Sequence, residues 1–549
     1  MEEQNIIPGE AERVSRAAAL ISIGNITSRV LGLARDVVKS YYFGAGGAVS
    51  AFDVAAQVPT MLYDLLTGGM LSSSLVPIFS DYVRPQRRSE FWRLLSLLFS
   101  MLVIFLSGLV LVIEVAAPWV ARLLSGGLPP EYLQLATQMI RITTPAIIFL
   151  NLAGLLTGAL YALQRFDRPA FLGTIANAVM VVTVILLGRS RLGALSLALG
   201  LLASSIAQVL FQRPALRDGP LRWLNPLQGH PALPIIGRLY LPIGLGLIVD
   251  QTAVALSFNL ASHISVSGIA WMKYAATIIQ FPLGMVVTAV SVAILPTLSR
   301  LAADADDRRF SATLAQGVRL VFVLVLPSAA LLLILAEPMV AVMFQRGNFM
   351  PGDTVAVASA LRYNLLGLIF AALDQPLIFA FYARKNTWTP ALVGVGTTVF
   401  FTTLVFSLSD LGWLTLETLI LANSLKLTAH ALLMFFLFNR SVGTFMADAV
   451  KRTTRIAALA ALAIIPPALL LTQLVRRIGP EGSMGVLSQL IFAGGFGLII
   501  YLWLLRKAKV EELSLLEQTL ARFMGRRSEA PNSPNTPADT PEPETEADA

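Results

Sequence analysis

The sequence predicts an all-α polytopic membrane protein of about fourteen transmembrane helices: two pseudo-symmetric six-helix lobes followed by two C-terminal helices. Three observations carry this reading: composition, the placement of basic residues, and an internal repeat. Of the 549 residues, 56% are hydrophobic and 13% charged, with mean hydropathy +0.71. A soluble chain carries roughly a quarter charged residues, so most of this surface must face lipid. Apolar runs of about 20 residues recur, each long enough to cross a hydrocarbon core about 30 Å thick. The short alternating segments of a β-barrel are not seen.

The runs place spans at 15–39, 50–79, 94–117, 133–160, 169–188, 192–212, 235–260, 269–297, 312–336, 356–382, 389–408, 414–438, 456–475 and 485–505. These give an N-terminal segment 1–14, a first lobe 15–212, a linker 213–234, a second lobe 235–438, two further helices within 439–506, and a C-terminal segment 507–549. Lys and Arg gather in alternate loops. One set holds Arg84, Arg87, Arg88 and Arg93, then Arg165, Arg213, Arg217, Arg222, Arg300, Arg384, Lys451 and their neighbours; the other holds Arg122, Arg189, Arg191, Arg346, Arg476 and Arg477. The asymmetry is about threefold and predicts that the first set and both termini are cytoplasmic, in a bacterial inner membrane. Met1 to Arg16 enters the first span without a small-residue cleavage site, so no removable signal peptide is expected.

The stretch from Tyr161-Ala162 to Pro169-Ala170 and Gly173 recurs 221 positions on as Tyr382-Ala383 to Pro390-Ala391 and Gly394. Gln57-Val58-Pro59 recurs as Gln280-Phe281-Pro282 at a similar offset, and Leu75-Val76-Pro77 as Leu295-Pro296. Matched segments share an in/out orientation, so the halves are expected to be related by an axis along the membrane normal. The linker precedes the second copy. After Lys507 comes a charged amphipathic stretch to Phe523 expected on the membrane surface, then a Pro-, Glu- and Thr-rich tail expected to be disordered.

Several function classes drop out. Without cysteine there are no disulfides, thiolate metal sites or cysteine nucleophiles. Only three histidines occur, and no HExxH, GxSxG or phosphate-cradling GKS/T segment is present, so neither an enzyme nor a metal centre is expected. The net charge of +8 belongs to helix ends and not to a basic domain, which argues against a nucleic-acid partner.

Ionisable and helix-breaking residues inside spans mark the candidate sites. Helix one carries Asn25, Arg29, Arg35 and Asp36. Arg29, at mid-span, reads either as substrate-facing or as a partner of Asp53 or Asp64 on helix two; Arg35 and Asp36 lie nearer the outer end. Helix two bends at Pro59 and at Gly68-Gly69, and helix eight at Pro282, Gly284 and Pro296, so these are candidate gates or static kinks. Asp250, mid-span in helix seven, could bind a coupling Na⁺ or H⁺ or serve a structural hydrogen bond. Asp374 and Lys426 could form an ion pair or belong to separate sites. Lys273 and Arg362, near span ends, are expected to snorkel. The substrate-facing set is therefore Asn25, Arg29, Arg35, Asp53, Asp64 and Lys426, and the ion-coupling pair Asp250 and Asp374.

The run Ser28-Arg29-Val30-Leu31-Gly32-Leu33-Ala34-Arg35-Asp36, followed by Phe43-Gly44-Ala45-Gly46, Val58-Pro59 and Leu75-Val76-Pro77-Ile78-Phe79, resembles the first two helices of the MurJ (MviN) family. Phe281-Pro282-Leu283-Gly284, Leu295-Pro296-Thr297-Leu298-Ser299, Phe344-Gln345-Arg346-Gly347-Asn348-Phe349 and Phe381-Tyr382-Ala383-Arg384 continue the match, which runs from about Ala18 to Arg506. The resemblance implies the MOP flippase fold, alternating access, and no bond-breaking chemistry. The implied substrate is lipid II, the undecaprenyl-diphosphate-linked peptidoglycan precursor, moved to the outer leaflet. Membrane lipids surround such a protein, and cell-wall synthesis proteins could be further partners. Arg29 and Arg35 coincide with important arginines of the family's first helix, and Asp250 with the helix-seven carboxylate of a sodium site in some members. Ser50, Tyr63 and Thr277 stand where the family usually has charged residues, and Thr397, Thr398, Thr402 and Thr403 where the sodium site has Asn and Asp. Lys426 or Lys273 would have to replace the missing arginines. Two alternatives stay open: export of another polyprenyl-linked glycan or lipophilic solute, and a non-transporting envelope scaffold.

Overall fold

The computed structural model describes residues 8–68, 75–442, 448–480 and 482–513, and all regular structure among them is helical. The first lobe comprises α1 (Pro8–Phe43), α2 (Gly47–Tyr63), α3 (Val76–Tyr82), α4 (Arg88–Ser125), α5 (Pro130–Thr143), α6 (Ala146–Ala162), α7 (Asp167–Ala170), α8 (Leu172–Leu187) and α9 (Leu195–Gln212). The second comprises α10 (Ala232–Ile264), α11 (Gly268–Pro282), α12 (Thr288–Ala303), α13 (Asp307–Phe344), α14 (Pro351–Ala383), α15 (Trp388–Asp410) and α16 (Leu416–Val442). Helices α17 (Asp448–Ala463), α18 (Ile465–Ile478), α19 (Gly482–Gln489) and α20 (Gly495–Lys507) pack on α13 at the outside of the second lobe.

Each expected span contains helix, but they are not equally suited to lipid. Among the described residues, ten helices are long and apolar enough to cross a bilayer, or eleven if α5 and α6, bent by 42°, form one span. Helix α1 is not among them, its described side chains including Arg29, Arg35, Asp36 and Lys39, α8 is a short apolar helix, and the second span includes residues 69–74, which lie outside the described residues.

The repeat is visible in backbone detail. Gln164 (φ 57°) and Lys385 (φ 59°), 221 positions apart, both adopt the left-handed conformation that non-glycine residues rarely take, each just after a repeated Tyr-Ala. A π-helical turn follows the helix-two proline at Asp64–Gly68, and its counterpart at Leu283–Val287 follows Pro282. Pro59 is buried within α2, whereas Pro282 sits at the break itself. Helix α13 kinks at Leu335 (φ −92°, ψ 16°), beside the carbonyl of Ile334 that Pro338 cannot hydrogen-bond.

Burial divides the molecule by depth. At the arginine-poor end, Val49, Phe52, Ile140, Tyr274, Phe344 and Phe349 belong to one apolar cluster shared by both lobes. At the arginine-rich end, each lobe has its own core: Phe79, Phe91, Trp92 and Leu160 in the first, and Phe310, Leu314, Phe381 and Phe438 in the second. The lobes are thus joined at one end and separately packed at the other. The linker is held against the first lobe: Ser96 and Ser100 accept from the backbone N–H groups of Arg222 and Leu224, and Arg165 bonds Asp218 and the Ala215 carbonyl.

Beyond α20 the first described residues of the stretch expected on the membrane surface pack inward instead. Val510 and Leu513 join the second lobe's core, and Glu512, 1% exposed, pairs with Arg319 at 2.8 Å. An apolar surface would not accept that carboxylate, but the half-enclosed guanidinium of α13 does. The remainder of the stretch and the acidic tail lie outside the described residues.

Candidate functional site

Helix α1 is oriented by a seam of small residues against α7 and α8. A Cβ on Gly24 would fall 2.0 Å from the Ala170 carbonyl oxygen, and one on Gly173 2.2 Å from Ser28 Oγ. Glycine at both places lets the backbones approach. Polar bonds lock the seam: Thr27 Oγ1 lies 2.9 Å from Thr174 Oγ1, Asn177 Nδ2 donates to the Ser28 carbonyl at 3.0 Å, and Arg35 Nη1 donates to Asn177 Oδ1 at 3.1 Å. With that face occupied, positions 29 and 36 lie on the stripe turned toward the second lobe.

Arg29 reaches across to α11. Its Nη1 donates to the Gln280 carbonyl at 2.9 Å, and its guanidinium fills the space a side chain at Gly284 would need, Nη2 lying 1.7 Å from that glycine's hypothetical Cβ. Neither Asp53 nor Asp64 is its partner, so the pairing left open for it is not formed: among the described residues Arg29 has no carboxylate within ion-pair distance. The turn that carries Asp64 packs against α10 instead. Asn25 is exposed, one turn from Arg29. Of the candidate gates, Gly284 receives the arginine, Gly68 closes the α2-side π turn, and Gly69 is not described.

About 10 Å further along α1 lies an inter-lobe cavity of about 190 Å³, lined by Arg35, Asp36, Lys39, Asp53, Gln57, Thr60, Lys273 and Thr277. Arg35 Nε bonds Asp36 Oδ1 at 3.0 Å, and the other Asp36 oxygen accepts from Thr277 at 2.8 Å. Asp36, placed by the sequence only as nearer the outer end, is 2% exposed and forms a buried bridge between the lobes. Lys39 Nζ pairs with Asp53 Oδ1 at 3.2 Å and stands 4.6 Å from the Tyr274 ring centre. The second Asp53 oxygen is buried without a protein partner among the described residues. Lys273 does not snorkel; it turns inward to Gln57 at 3.0 Å and stacks on Phe258, because that polar group and aromatic face lie within reach. The sequence reading missed Lys39, Asn177 and Gln57 as parts of this network. Their signal was period alone: Lys39 lies three residues beyond Asp36 on α1.

Above the cavity the lobes are sealed toward the arginine-poor end. The Asn348 backbone N–H and Nδ2 donate to the Tyr41 and Tyr42 carbonyls, Tyr274 Oη donates to the Gly44 carbonyl, and the Gly127 N–H donates to Ser262 Oγ. A Cβ on Gly44 (φ 68°) would fall 2.4 Å from the Asn348 carbonyl oxygen, so this corner closes only on glycine.

The remaining candidates gather elsewhere. Lys426 Nζ pairs with Asp250 Oδ1 at 3.0 Å, and Asp374 Oδ1 with His430 Nδ1 at 2.8 Å, around a second cavity of about 320 Å³ inside the second lobe. The question left open between Asp374 and Lys426 is settled: each has another partner. Arg362 bonds Glu337 and the Leu333 carbonyl in place of snorkelling freely. His430 was not singled out in the sequence, being a lone histidine in an apolar helix.

A sequence model of the family described as lipid II flippase MurJ matches residues 39–491. The lipid II flippase MurJ of Burkholderia cenocepacia is 30% identical over 389 residues, covering 69% of this chain and 75% of that protein. The probable lipid II flippase MurJ of Vibrio cholerae is 30% identical, covering 70% and 75%. The fold is that of a solved lipid II flippase MurJ in an inward closed conformation, with a TM-score of 0.75 at 22% identity over 92% of this chain and all of that one. An inward-facing MATE family transporter of the MOP superfamily aligns with a TM-score of 0.66 at 15% identity, over 78% and 96%. With its lobes, its repeat and its membrane-depth charges in place, the chain belongs to the lipid II flippase MurJ family.

Proposed function

We propose that this protein flips lipid II from the cytoplasmic to the outer leaflet by alternating access, without breaking a bond. The observation that carries the reading is the unequal charge of the inter-lobe region. Arg29, Arg35, Lys39 and Lys273 stand near Asp36, Asp53 and, from Lys273 alone, Asp64, leaving positive charge in excess at membrane depth. Uncompensated charge there is costly unless water or an anionic ligand occupies the space. A diphosphate supplies two negative charges, and guanidinium forks suit its oxygens. The unpartnered Asp53 oxygen offers an acceptor for sugar hydroxyls or peptide N–H groups. Lys273, one turn from Thr277 on the same cavity wall, supplies a cation near a position where the family usually has an arginine.

The asymmetry of the basic loops supports a cytoplasmic position for the separately packed end and for both termini. The headgroup then enters between the lobes from that side, meets Arg29 first and the cavity next, and is released when the Asn348–Tyr41 corner opens. Arg29 donates to the Gln280 carbonyl, a contact that an arriving diphosphate would replace.

The test is complementation of cells depleted of their resident lipid II flippase, with externalised lipid II as the readout. Wild-type protein restores it; the Arg29→Ala variant, at equal membrane abundance, does not. Normal expression without externalised lipid II defeats the reading.

A further inference from the structure

The outward face of the first lobe carries charges that the inter-lobe site does not use. Helices α4 and α5 form an antiparallel hairpin that turns at the arginine-poor end. Glu114 lies eleven residues before the end of α4 at Ser125, and Arg141 eleven residues after the start of α5 at Pro130. Both therefore stand about 16 Å inward from the turn. Arg122 and Glu131 sit close to the turn itself with the signs exchanged, the base on α4 and the acid on α5. Arg122, Glu131 and Arg141 are exposed, and Glu114 is partly so.

None of these four side chains forms a hydrogen bond or an ion pair among the described residues, although Glu114 lies within electrostatic reach of Arg141. Glu114 and Arg141 fall inside apolar spans, where an ionisable side chain that faces outward is costly. Pro118 adds to that cost, since it has no N–H and leaves the Glu114 carbonyl without its usual helical donor. On α5 the exposed positions 131, 134, 138 and 141 recur every three or four residues and so share one face. Its middle is Gln134 and Gln138, carboxamides that both donate and accept, beside a shallow hollow of about 370 Å³.

A partner for this face must offer a base at the depth of Glu114, an acid at the depth of Arg141, and the reverse pair near the membrane surface. The same face on a second copy meets that description. A two-fold axis along the membrane normal preserves depth and sets α4 of one copy against α5 of the other, so that each residue of a pair meets its opposite twice. We propose that the α4–α5 face is the contact surface of a homodimer, in which Glu114 pairs with Arg141 of the second copy, Arg122 with its Glu131, and the glutamines bond across the axis. The inter-lobe cavity contributes no residue to this face, so the inference stands apart from the flippase reading.

The chain has no cysteine, so a single introduced thiol reports alone. In native membranes, Gln138→Cys treated with a short bis-maleimide is expected to give a covalent dimer, and Val399→Cys, at an exposed position of α15, to give none. Glu114→Arg or Arg141→Glu, each added to Gln138→Cys, should cut that dimer about tenfold or more. The reversal Glu114→Arg, Arg141→Glu in one chain should dimerise like the parent, which a misfolded chain could not do. Co-expression of the two single variants under different tags is decisive. One chain then offers two arginines and the other two glutamates, so a two-fold interface is complete again and the mixed dimer returns to the parental yield. A pair that closed only within one chain would stay broken in both. Absence of the Gln138→Cys dimer, an equal yield from Val399→Cys, single variants that dimerise like the parent, or a mixture that fails to recover would each overturn the proposal.

Discussion

The two polar cavities are built from the same residue types on opposite principles. Between the lobes, cations outnumber carboxylates, and one of them, Arg29, rests on a backbone carbonyl. Inside the second lobe, each carboxylate has its own partner: Lys426 for Asp250 and His430 for Asp374. A surplus of positive charge belongs to a place that an anionic ligand visits, whereas carboxylates that each have a partner offer an anion no such surplus. The contrast separates residues that sequence reading had pooled, and it moves Lys426 from the proposed cargo site to the second cavity.

The contrast can be broken experimentally. The largest effect is expected at Lys39, where both members of the ion pair with Asp53 are almost wholly enclosed. Lys39→Met should lower unfolding stability by about 3–5 kcal/mol, the penalty for stranding a buried carboxylate. Adding Asp53→Asn should recover most of it in a detergent melting series, and a silent Lys39→Met would mean that this pair is cargo-facing after all. Next comes Arg29→Ala, which should cut lipid II flipping about tenfold or more, as expected for losing a charge-assisted contact, with an unchanged melting temperature. A fall in stability equal to the loss of flux would place Arg29 among the structural pairs.

A smaller effect is expected at Lys426, because the Asp250 side chain is 57% exposed and solvent screens it. Lys426→Met should cost about 1 kcal/mol or less, and Asp250→Asn in the same chain should add little; a loss as large as that at Lys39 would erase the difference between the cavities. The smallest concerns the linker. His230 Nδ1 accepts from the Ala232 N–H at the start of α10. Burial, reinforced by nearby Arg93, holds its imidazole below the ordinary value. A base depressed in the folded state is protonated more readily in the unfolded chain, so its contribution is complete above about pH 6.5 and is lost as the pH falls through the folded value. Melting at pH 5.5 should therefore drop by about 2 °C or less relative to pH 7.5, and His230→Gln should remove that component.

Much of the scaffold was legible because lipid imposes a simple rule. Apolar runs, basic loops and the recurrence of Tyr161-Ala162 at Tyr382-Ala383 locate helices and relate the halves, and the paired left-handed residues Gln164 and Lys385 confirm the relation in the backbone. Legibility faded at the site. Lys273 read as a snorkelling end residue because its position along the span was visible and its rotation was not. Lys39 escaped notice for the same reason, and His430 because a single histidine in an apolar helix carries no pattern. Asp36 read only as lying nearer the outer end of its span, although a threonine 241 residues away donates to it in the interior.

By itself, the sequence determined that the chain lives in lipid, that its fold is duplicated, and which side chains are too polar to face hydrocarbon. Those are local or additive properties, set by the free energy of moving each segment out of water. Only the tertiary structure decided which cation meets which anion, that Arg29 rests in the notch of Gly284, and that Lys426 closes on Asp250 and not on cargo. An ion pair depends on a few ångströms between helices far apart in the chain, and that separation is fixed by how their small-residue seams rotate and pack against one another.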